Sequence, residues 1–312
     1  DHNTFLGHVA GGVGGSGDDN VAIGSYSGYN LVTSDANILI GQSSGINMRS
    51  GSNNVAIGDN ALYTSRGASQ NTVMGAFAGY SVTTGTGVVG IGYKAGYANK
   101  GQGSWIAIGY EAMGGTPGTN EAAGEGIGYR SMYQAMDGSY GTALGNSTLE
   151  NLVGQHSIAI GSESGRYASG SYNTFVGGSA GKGGTTSAPF SSGQNNTAIG
   201  YRALDAFTTG PGNTAVGVNS LTAVTTGDYN VGLGYNTGAG LTSGALNVAI
   251  GYTALQADSQ GSGTVAIGQQ AGLLQNFGAV TTYNTLVGAN AGNKNLNTGI
   301  HFTAIGANAG HY

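Results

Sequence analysis

The chain lacks several features that would place it in a familiar class. Its 312 residues contain no cysteine, which excludes a disulfide framework and a thiolate zinc site. Charged residues make up only 7% of the sequence, and nine Lys and Arg residues are spread thinly through a chain of net charge −5. We therefore expect neither nucleic acid nor an anionic membrane as a partner. No apolar run approaches the ~18 residues of a spanning helix, so we also expect no membrane insertion.

Proline is scarce as well, with three residues, whereas there are 63 glycines. Glycine does not fall at every third position, which excludes collagen. The aliphatic and tyrosine content is too high, and the charge too low, for a disordered tail, so the sequence predicts a folded chain. It opens on Asp1 without Met or an apolar leader, which we interpret as a processed or excised segment.

The residues that are abundant form a repeat. The phrase NTAIG at Asn196–Gly200 returns as NTAVG at Asn213–Gly217, and related phrases occur along the whole chain. Eleven of the seventeen intervals between the final glycines are identical and define a 17-residue period, and a fixed period of about this length is typical of a solenoid. Positions in each repeat are counted below from this reference glycine, position 0. The reference glycines are Gly7, Gly24, Gly41, Gly58, Gly75, Gly92, Gly109, Gly128, Gly145, Gly161, Gly177, Gly200, Gly217, Gly234, Gly251, Gly268, Gly288 and Gly306.

Each position of the repeat has its own chemistry. Position −1 is aliphatic throughout, apart from Met74, and indicates a side chain that contacts a dry surface. Position +3 is always Ala, Ser or Thr, which indicates close packing, and the glycine itself indicates a corner with positive φ or a close backbone approach. Position −4 is Asn in eleven repeats, a pattern that predicts an amide ladder between coils. The predicted ladder contains Asn20, Asn37, Asn54, Asn71, Asn196, Asn213, Asn230 and Asn247.

These patterns predict an all-β fold. Helix is disfavoured because interior glycine costs about 1 kcal/mol and no 3.6-residue stripe is present. We expect two short strands in each repeat, such as NTAIG and the following YRALD at Tyr201–Asp205, joined by polar turns. The prediction is a single-domain parallel β-solenoid (β-roll or β-helix) over residues 1–312, with about 18 coils and a 17-residue period. Its thin core indicates a second apolar face shared between chains, and hence an oligomer.

Tyrosines fall in register on successive coils. They form either rows that stack for stability, the interpretation we favour, or a platform that binds sugar. The first column contains Tyr63, Tyr80 and Tyr97, and the second contains Tyr93, Tyr110 and Tyr129.

Interruptions of the period are candidate contact loops. The coil between Gly177 and Gly200 is six residues longer than the period, and insertions in a solenoid tend to emerge at its surface. The alternative is a tolerated loop without function. The candidate contact residues are Lys182, Pro189, Phe190 and Phe277.

We find no support for catalysis in the sequence. GQSSG at Gly41–Gly45 and GGSAG at Gly177–Gly181 match a nucleophile elbow, but their serines occupy a freely variable position of the repeat. No acid–base pair, catalytic triad or metal-ligand cluster stands out of the repeat. We therefore predict no catalytic, metal-binding or cofactor-binding residue, no cofactor and no enzymatic activity.

The recurring NVAIG, SIAIG and TVAIG phrases, each followed by a small residue at position +3, resemble the head repeats of trimeric autotransporter adhesins. They are also similar to phage tail-fibre shaft repeats. The resemblance covers Asn3 to Gly310, although adhesin repeats are shorter than the period of this chain. It implies a parallel β-roll, a homotrimer, and an aliphatic column that faces either an inter-sheet or an inter-chain core.

The sequence thus favours a non-enzymatic shaft of an extracellular fibre, an adhesin or phage tail fibre that mediates attachment. Its location would be the cell surface or a virion appendage, and its receptor a cell-surface carbohydrate or protein. One alternative is a filament subunit that polymerises head to tail, because no capping coil is visible at either end of the array. A second is ice binding, for which position −3 is an imperfect match because it mixes threonine with valine.

Overall fold

The computed structural model describes residues 2–12, 15–100, 103–115, 123–135, 140–276, 278–293 and 301–310. Within these ranges the regular elements are short β-strands, one for each repeat, and there is no helix. The strands are β1 Thr4–Leu6, β2 Val21–Ile23, β3 Ile38–Ile40, β4 Val55–Ile57, β5 Thr72–Met74, β6 Val89–Ile91, β7 Trp105–Ile108, β8 Ala123–Ile127, β9 Tyr140–Leu144, β10 Ile158–Ile160, β11 Thr174–Val176, β12 Thr197–Ile199, β13 Thr214–Val216, β14 Val231–Leu233, β15 Val248–Ile250, β16 Val265–Ile267, β17 Thr285–Val287 and β18 Thr303–Ile305.

The chain divides into two compact units, Asp1–Gln155 with β1–β9 and His156–Tyr312 with β10–β18. In each unit every strand pairs in parallel with the next strand along the chain, without a shift in register. Val21 of β2, for example, lies opposite Ile38 of β3. One repeat therefore advances the chain by one strand spacing. The predicted all-β parallel β-solenoid is confirmed, whereas its description as a single domain stays a prediction.

The core of the coils is built mainly from positions −2, +4 and +7, the last of which holds buried side chains such as Met48 and Phe207. Successive side chains of a strand point to opposite sides, so the middle residue of each strand points inward while its neighbours at −3 and −1 point outward. Ala22, Leu39 and Phe175, all at position −2, are completely buried. The aliphatic position −1, which the sequence predicted to contact a dry surface, thus lies outside the core of its own coil.

The predicted second strand of each repeat is wrong. The residues after the reference glycine form consecutive turns, in which Ser27 N donates to Gly24 O at 3.2 Å. Positions +2 and +4 have positive φ, 58° at Tyr26 and 57° at Gly28, which is incompatible with an extended strand. The amides of these two residues still donate to neighbouring coils, to His8 O and Ser44 O, each at 2.9 Å. The turns therefore preserve the ladder without strand geometry.

The reference glycines need both properties that the sequence indicated. At Gly24 the backbone has φ 127°, a region that side chains other than glycine rarely adopt. A Cβ atom there would lie 2.6 Å from Gly41 O of the next coil. Side-chain atoms would thus prevent the coils from stacking at this corner.

Apart from the partly exposed Asn3, the asparagines at position −4 are buried, and they form rows inside each unit. In the first unit, Asn37 Nδ2 donates to Asn20 Oδ1 at 3.0 Å, Asn54 to Asn37 at 2.9 Å and Asn71 to Asn54 at 2.9 Å. Each of these Asn side chains also donates to a backbone carbonyl 14 residues further along the chain, as Asn54 Nδ2 does to Ala68 O. These side chains therefore connect the coils through the interior. The same side-chain bonds in the second unit, at 3.1–3.2 Å, join Asn196, Asn213, Asn230 and Asn247.

Candidate assembly interface

The outward side chains at position −1 form a continuous row on the surface of each unit, which we call the outer aliphatic row. Strand pairing places consecutive members directly beside each other, and none of them is buried. The row of the first unit contains Leu6, Ile23, Ile40, Ile57, Met74, Ile91, Ile108, Ile127 and Leu144. The row of the second unit contains Ile160, Val176, Ile199, Val216, Leu233, Ile250, Ile267, Val287 and Ile305.

A second outward row lies beside it at position −3. Its residues are Thr, Val or Ile in every coil except one, where Glu125 accepts a hydrogen bond from Thr142 Oγ1 at 2.8 Å. β-Branched residues favour the strand conformation, and this preference accounts for their presence at position −3 independently of what contacts the row. We call the two rows together the outer strand face.

This face is large, and it combines the outer aliphatic row with a row at position −3 that mixes threonine with valine and isoleucine. Eight strand steps of about 4.8 Å, across three residues of about 3.3 Å, give each unit an outer strand face of about 400 Å². Its aliphatic side chains remain well exposed, for example Leu144 at 46% and Leu233 at 47%. The largest apolar patch of a soluble monomer typically covers about 300–600 Å² and is often functional. Chemically the face can exclude water against a matching surface, and the outer aliphatic row offers no charge for an ionic ligand.

The tyrosines of the first column form a stack in the structure. Tyr63 and Tyr80 have ring centroids 4.9 Å apart, and Tyr80 and Tyr97 are 5.0 Å apart. Burial, with the neighbouring Tyr63 and Tyr97, raises the pKa of Tyr80 above its ordinary value of 10.0. The Tyr80 phenol therefore stays neutral at physiological pH.

The second tyrosine column stacks too. Tyr93 and Tyr110 are 5.2 Å apart, and Tyr110 and Tyr129 are 5.4 Å apart. Lys94 Nζ lies 5.3 Å from the ring centroid of Tyr93 and 5.5 Å from that of Tyr97, and so connects the two columns. The pKa of Lys94 is raised, first by Tyr93, and Lys94 remains a cation at neutral pH.

The candidate contact residues of the long coil differ from one another. Pro189 is exposed, whereas Phe190 is half-buried and stacks on Tyr167 with centroids 6.4 Å apart. Lys182 forms an ion pair within the fold, with its Nζ 2.7 Å from Glu163 Oε2. The fourth candidate, Phe277, lies outside the described residues.

The parts of the chain that the structure describes hold no group of three His, Asp or Glu side chains arranged to bind a metal ion. They also hold no helix of the length and hydrophobicity needed to cross a bilayer. Ser43 and Ser179, of the two elbow-like motifs, occupy position +2 with φ 56° and 55°, the same turn position as in other coils.

Two features of the structure were not predicted from the sequence. The buried position −2 was not singled out, although every coil with Leu or Met at position +4 has Ala or Gly at position −2. A further stack, Tyr235 on Tyr252 with centroids 5.5 Å apart, lies at position +1 in the second unit. A search by position could have found both, because each depends on columns of the repeat rather than on neighbouring letters.

Comparison with known proteins assigns no family to the chain. No protein-family model matches it, and a search of the curated proteins finds no significant relative.

Proposed function

We propose that this chain is a non-enzymatic structural protein, the β-solenoid shaft of an extracellular fibre, whose copies associate side by side through the outer strand face. The observation that carries the proposal is the outer aliphatic row, which is unbroken from Leu6 to Leu144 in one unit and from Ile160 to Ile305 in the other. A repeat that keeps an aliphatic residue at an outward position in every coil creates a surface that water solvates poorly. Association removes that surface from water.

The proposed assembly is a homotrimer. In a closed trimer around one axis, the three copies of each unit's outer aliphatic row would face one another and be removed from water. This arrangement is also what the resemblance to adhesin heads and phage tail fibres implies. As such a fibre, the protein would hold an attachment surface away from its anchor at the cell surface or on a virion.

Sedimentation velocity over a concentration series tests the proposal. We expect a fixed mass three times that of the 30.8 kDa chain. Lysines placed at two exposed row positions, Ile199→Lys with Leu233→Lys, should give monomers, because burying an unpaired charge in an apolar interface is unfavourable. The matched control, Thr209→Lys with Thr226→Lys, adds the same charge at exposed turn residues of the same unit and should remain trimeric.

Each outcome decides between assemblies. Monomers of the wild-type chain at every concentration would overturn the proposal. A mass that climbs without limit, and that the row variant does not change, would favour the head-to-tail filament instead. Circular dichroism of each variant checks that the solenoid is retained.

One observation favours ice binding as the second candidate. Thr174, Thr197 and Thr214 follow one another on the outer strand face, where they are partly exposed. The row then continues with valines at the next three coils. Thermal hysteresis of a solution of the chain, absent from the Thr197→Lys variant, would support this alternative.

A further inference from the structure

Four successive coils of the first unit place Arg49, Arg66, Thr83 and Lys100 at the same position, +8. Backbone hydrogen bonds make consecutive members neighbours, since Arg49 N donates to Arg66 O and Arg66 N donates to Thr83 O, each at 3.0 Å. We call this set the basic row. No basic patch is evident in the sequence, because one or two whole repeats separate these cations along the chain. Folding brings them onto one column.

Among the described residues, the basic row differs from most other cations of the chain in its lack of acidic partners. Arg49, Arg66 and Lys100 form no ion pair within the described ranges. Three cations on successive or nearby coils, without a paired carboxylate there, produce a local positive potential in a chain of net charge −5. The cations that do lie within 3.8 Å of a carboxylate oxygen are Arg130, Arg166, Lys182 and Arg202.

Two of the basic-row cations, Arg66 and Lys100, line an open groove of about 540 Å³. The rest of its lining is rich in hydroxyl groups, from Thr64, Ser81, Thr83 and Thr84. These hydroxyl groups donate and accept hydrogen bonds, and Arg and Lys supply charge-assisted donors in the same groove. The groove therefore suits a ligand that carries both anionic groups and many hydroxyls.

The first tyrosine stack borders this groove along the chain, because Tyr63 and Tyr80 immediately precede the lining residues Thr64 and Ser81. Tyr63, Tyr80 and Tyr97 are half-buried in the stack, and their rings repeat at the spacing of the coils. Rigid tyrosines with an apolar face and a polar edge are common where a protein binds amphipathic ligands such as sugars.

From this combination we infer that the basic row and its groove bind an acidic polysaccharide, a polymer with sulfate or carboxylate groups on successive sugars. The repeat of the row matches a linear polymer that lies along the column, with anionic groups on Arg49, Arg66 and Lys100. A nucleic acid is also a polyanion, but the chain has few cations and is acidic overall, so a long phosphate backbone would be repelled beyond the row. This site is separate from the outer strand face and does not depend on the proposed association.

Binding to immobilised heparin and to polygalacturonate, measured by biolayer interferometry at low salt, tests the inference. We expect Arg66→Gln with Lys100→Gln to weaken binding at least about tenfold, because two charge-assisted hydrogen bonds are lost. The matched control, Arg202→Gln, removes a cation that is paired with Asp205 in the second unit and should change binding less than about twofold. Raising the salt concentration should weaken wild-type binding through screening.

The remaining probes identify the ligand chemistry. Binding of heparin without binding of polygalacturonate would show that the site requires sulfate groups. Equal binding of polygalacturonate would show that carboxylate groups suffice. Neutral dextran should not bind. Equal binding of polyglutamate or of single-stranded oligothymidylate would overturn the inference, because charge without sugar would then be enough. Failure of heparin and polygalacturonate to bind would overturn it as well.

Discussion

At the scale of single residues, the core follows one rule of size. Where position −2 is large, position +4 of the same coil is glycine, as with Leu39 and Gly45. Where position +4 is Leu or Met, position −2 is Ala or Gly, as with Leu204 and Ala198. The two positions therefore never hold large side chains together, since close packing leaves space for only one between them.

The Trp105 ring fills space in the preceding coil, where neither of these two positions is large, and this gives a prediction. In that coil positions −2 and +4 are both glycine, Gly90 and Gly96, and the Trp105 ring occupies the space they leave. A Cβ atom on Gly96 would overlap the Trp105 ring, and the residue also has φ 62°. We expect Gly96→Ala to lower the free energy of unfolding by about 2–4 kcal/mol through overpacking and backbone strain together.

Gly278 supplies the control for this variant. It has nearly the same conformation, φ 65°, but a Cβ atom there would have no neighbour within 4 Å. Gly278→Ala should therefore show the conformational contribution alone, about 1 kcal/mol. Urea denaturation followed by circular dichroism compares the two, and equal losses would show that the Trp105 contact has no effect.

Glu163 gives a prediction about pH. Lys182 donates to its carboxylate and, with Arg166, holds the pKa of Glu163 below its ordinary value of 4.5. A depressed carboxyl pKa stabilises the folded state at pH values above 4.5, and this contribution is lost as the pH falls through the lower folded value. In the Lys182→Met variant the pKa of Glu163 should rise toward 4.5, and the stability difference from wild type should shrink as the pH falls below that value.

Carboxyl titration by NMR measures this shift directly. An unchanged pKa of Glu163 in the variant would contradict the assignment of Lys182 as its main partner.

At the scale of the coil, the interior asparagine rows connect one element to the next. Asn54 donates to Asn37 Oδ1 and Ala68 O, and its own Oδ1 accepts from the amide and side chain of Asn71. Asn54→Ala removes these bonds and leaves buried partners without them, so we expect a loss of about 3 kcal/mol. Asn146→Ala, at an exposed turn, should change stability by less than about 0.5 kcal/mol.

Thermal or urea unfolding of both variants tests the role of the row. Similar midpoints for Asn54→Ala and Asn146→Ala would mean that the buried amide of Asn54 stabilises the fold no more than an exposed asparagine does. Retention of the β-sheet spectrum in both variants ensures that the comparison concerns one fold.

The sequence predicted the element order but not the geometry within a coil. The fixed period and the reference glycines were sufficient to predict parallel stacking, because both repeat along the chain. The second strand could not be recognised as turns, since positive φ occurs at residues such as Tyr26 and Leu62, which do not signal it. For the same reason the alternation of inward and outward side chains along the strand could not be extended past the reference glycine. The outward location of position −1 therefore had to come from the structure.

At the scale of the whole molecule, each surface required different information. The tyrosine stacks follow from columns in one register and were foreseen at Tyr63 and Tyr80. The basic row was not, because Arg49, Arg66 and Lys100 are too few to stand out from a sequence of net charge −5. Charges this far apart in the sequence can be assigned to one site only when the coil register shows that they are aligned and their ion pairs are known.

The proposed association makes a final prediction about thermal stability. If folding and trimer formation are linked, mass action stabilises the assembled state as protein concentration rises. The melting temperature of the wild-type chain should then increase by about 2–5 °C over a hundredfold range of concentration. The Ile199→Lys with Leu233→Lys variant should melt at one temperature throughout the range, whereas Thr209→Lys with Thr226→Lys should behave like the wild type. Differential scanning fluorimetry measures all three, and a concentration-independent wild type would place the outer aliphatic rows outside any interface that stabilises the fold.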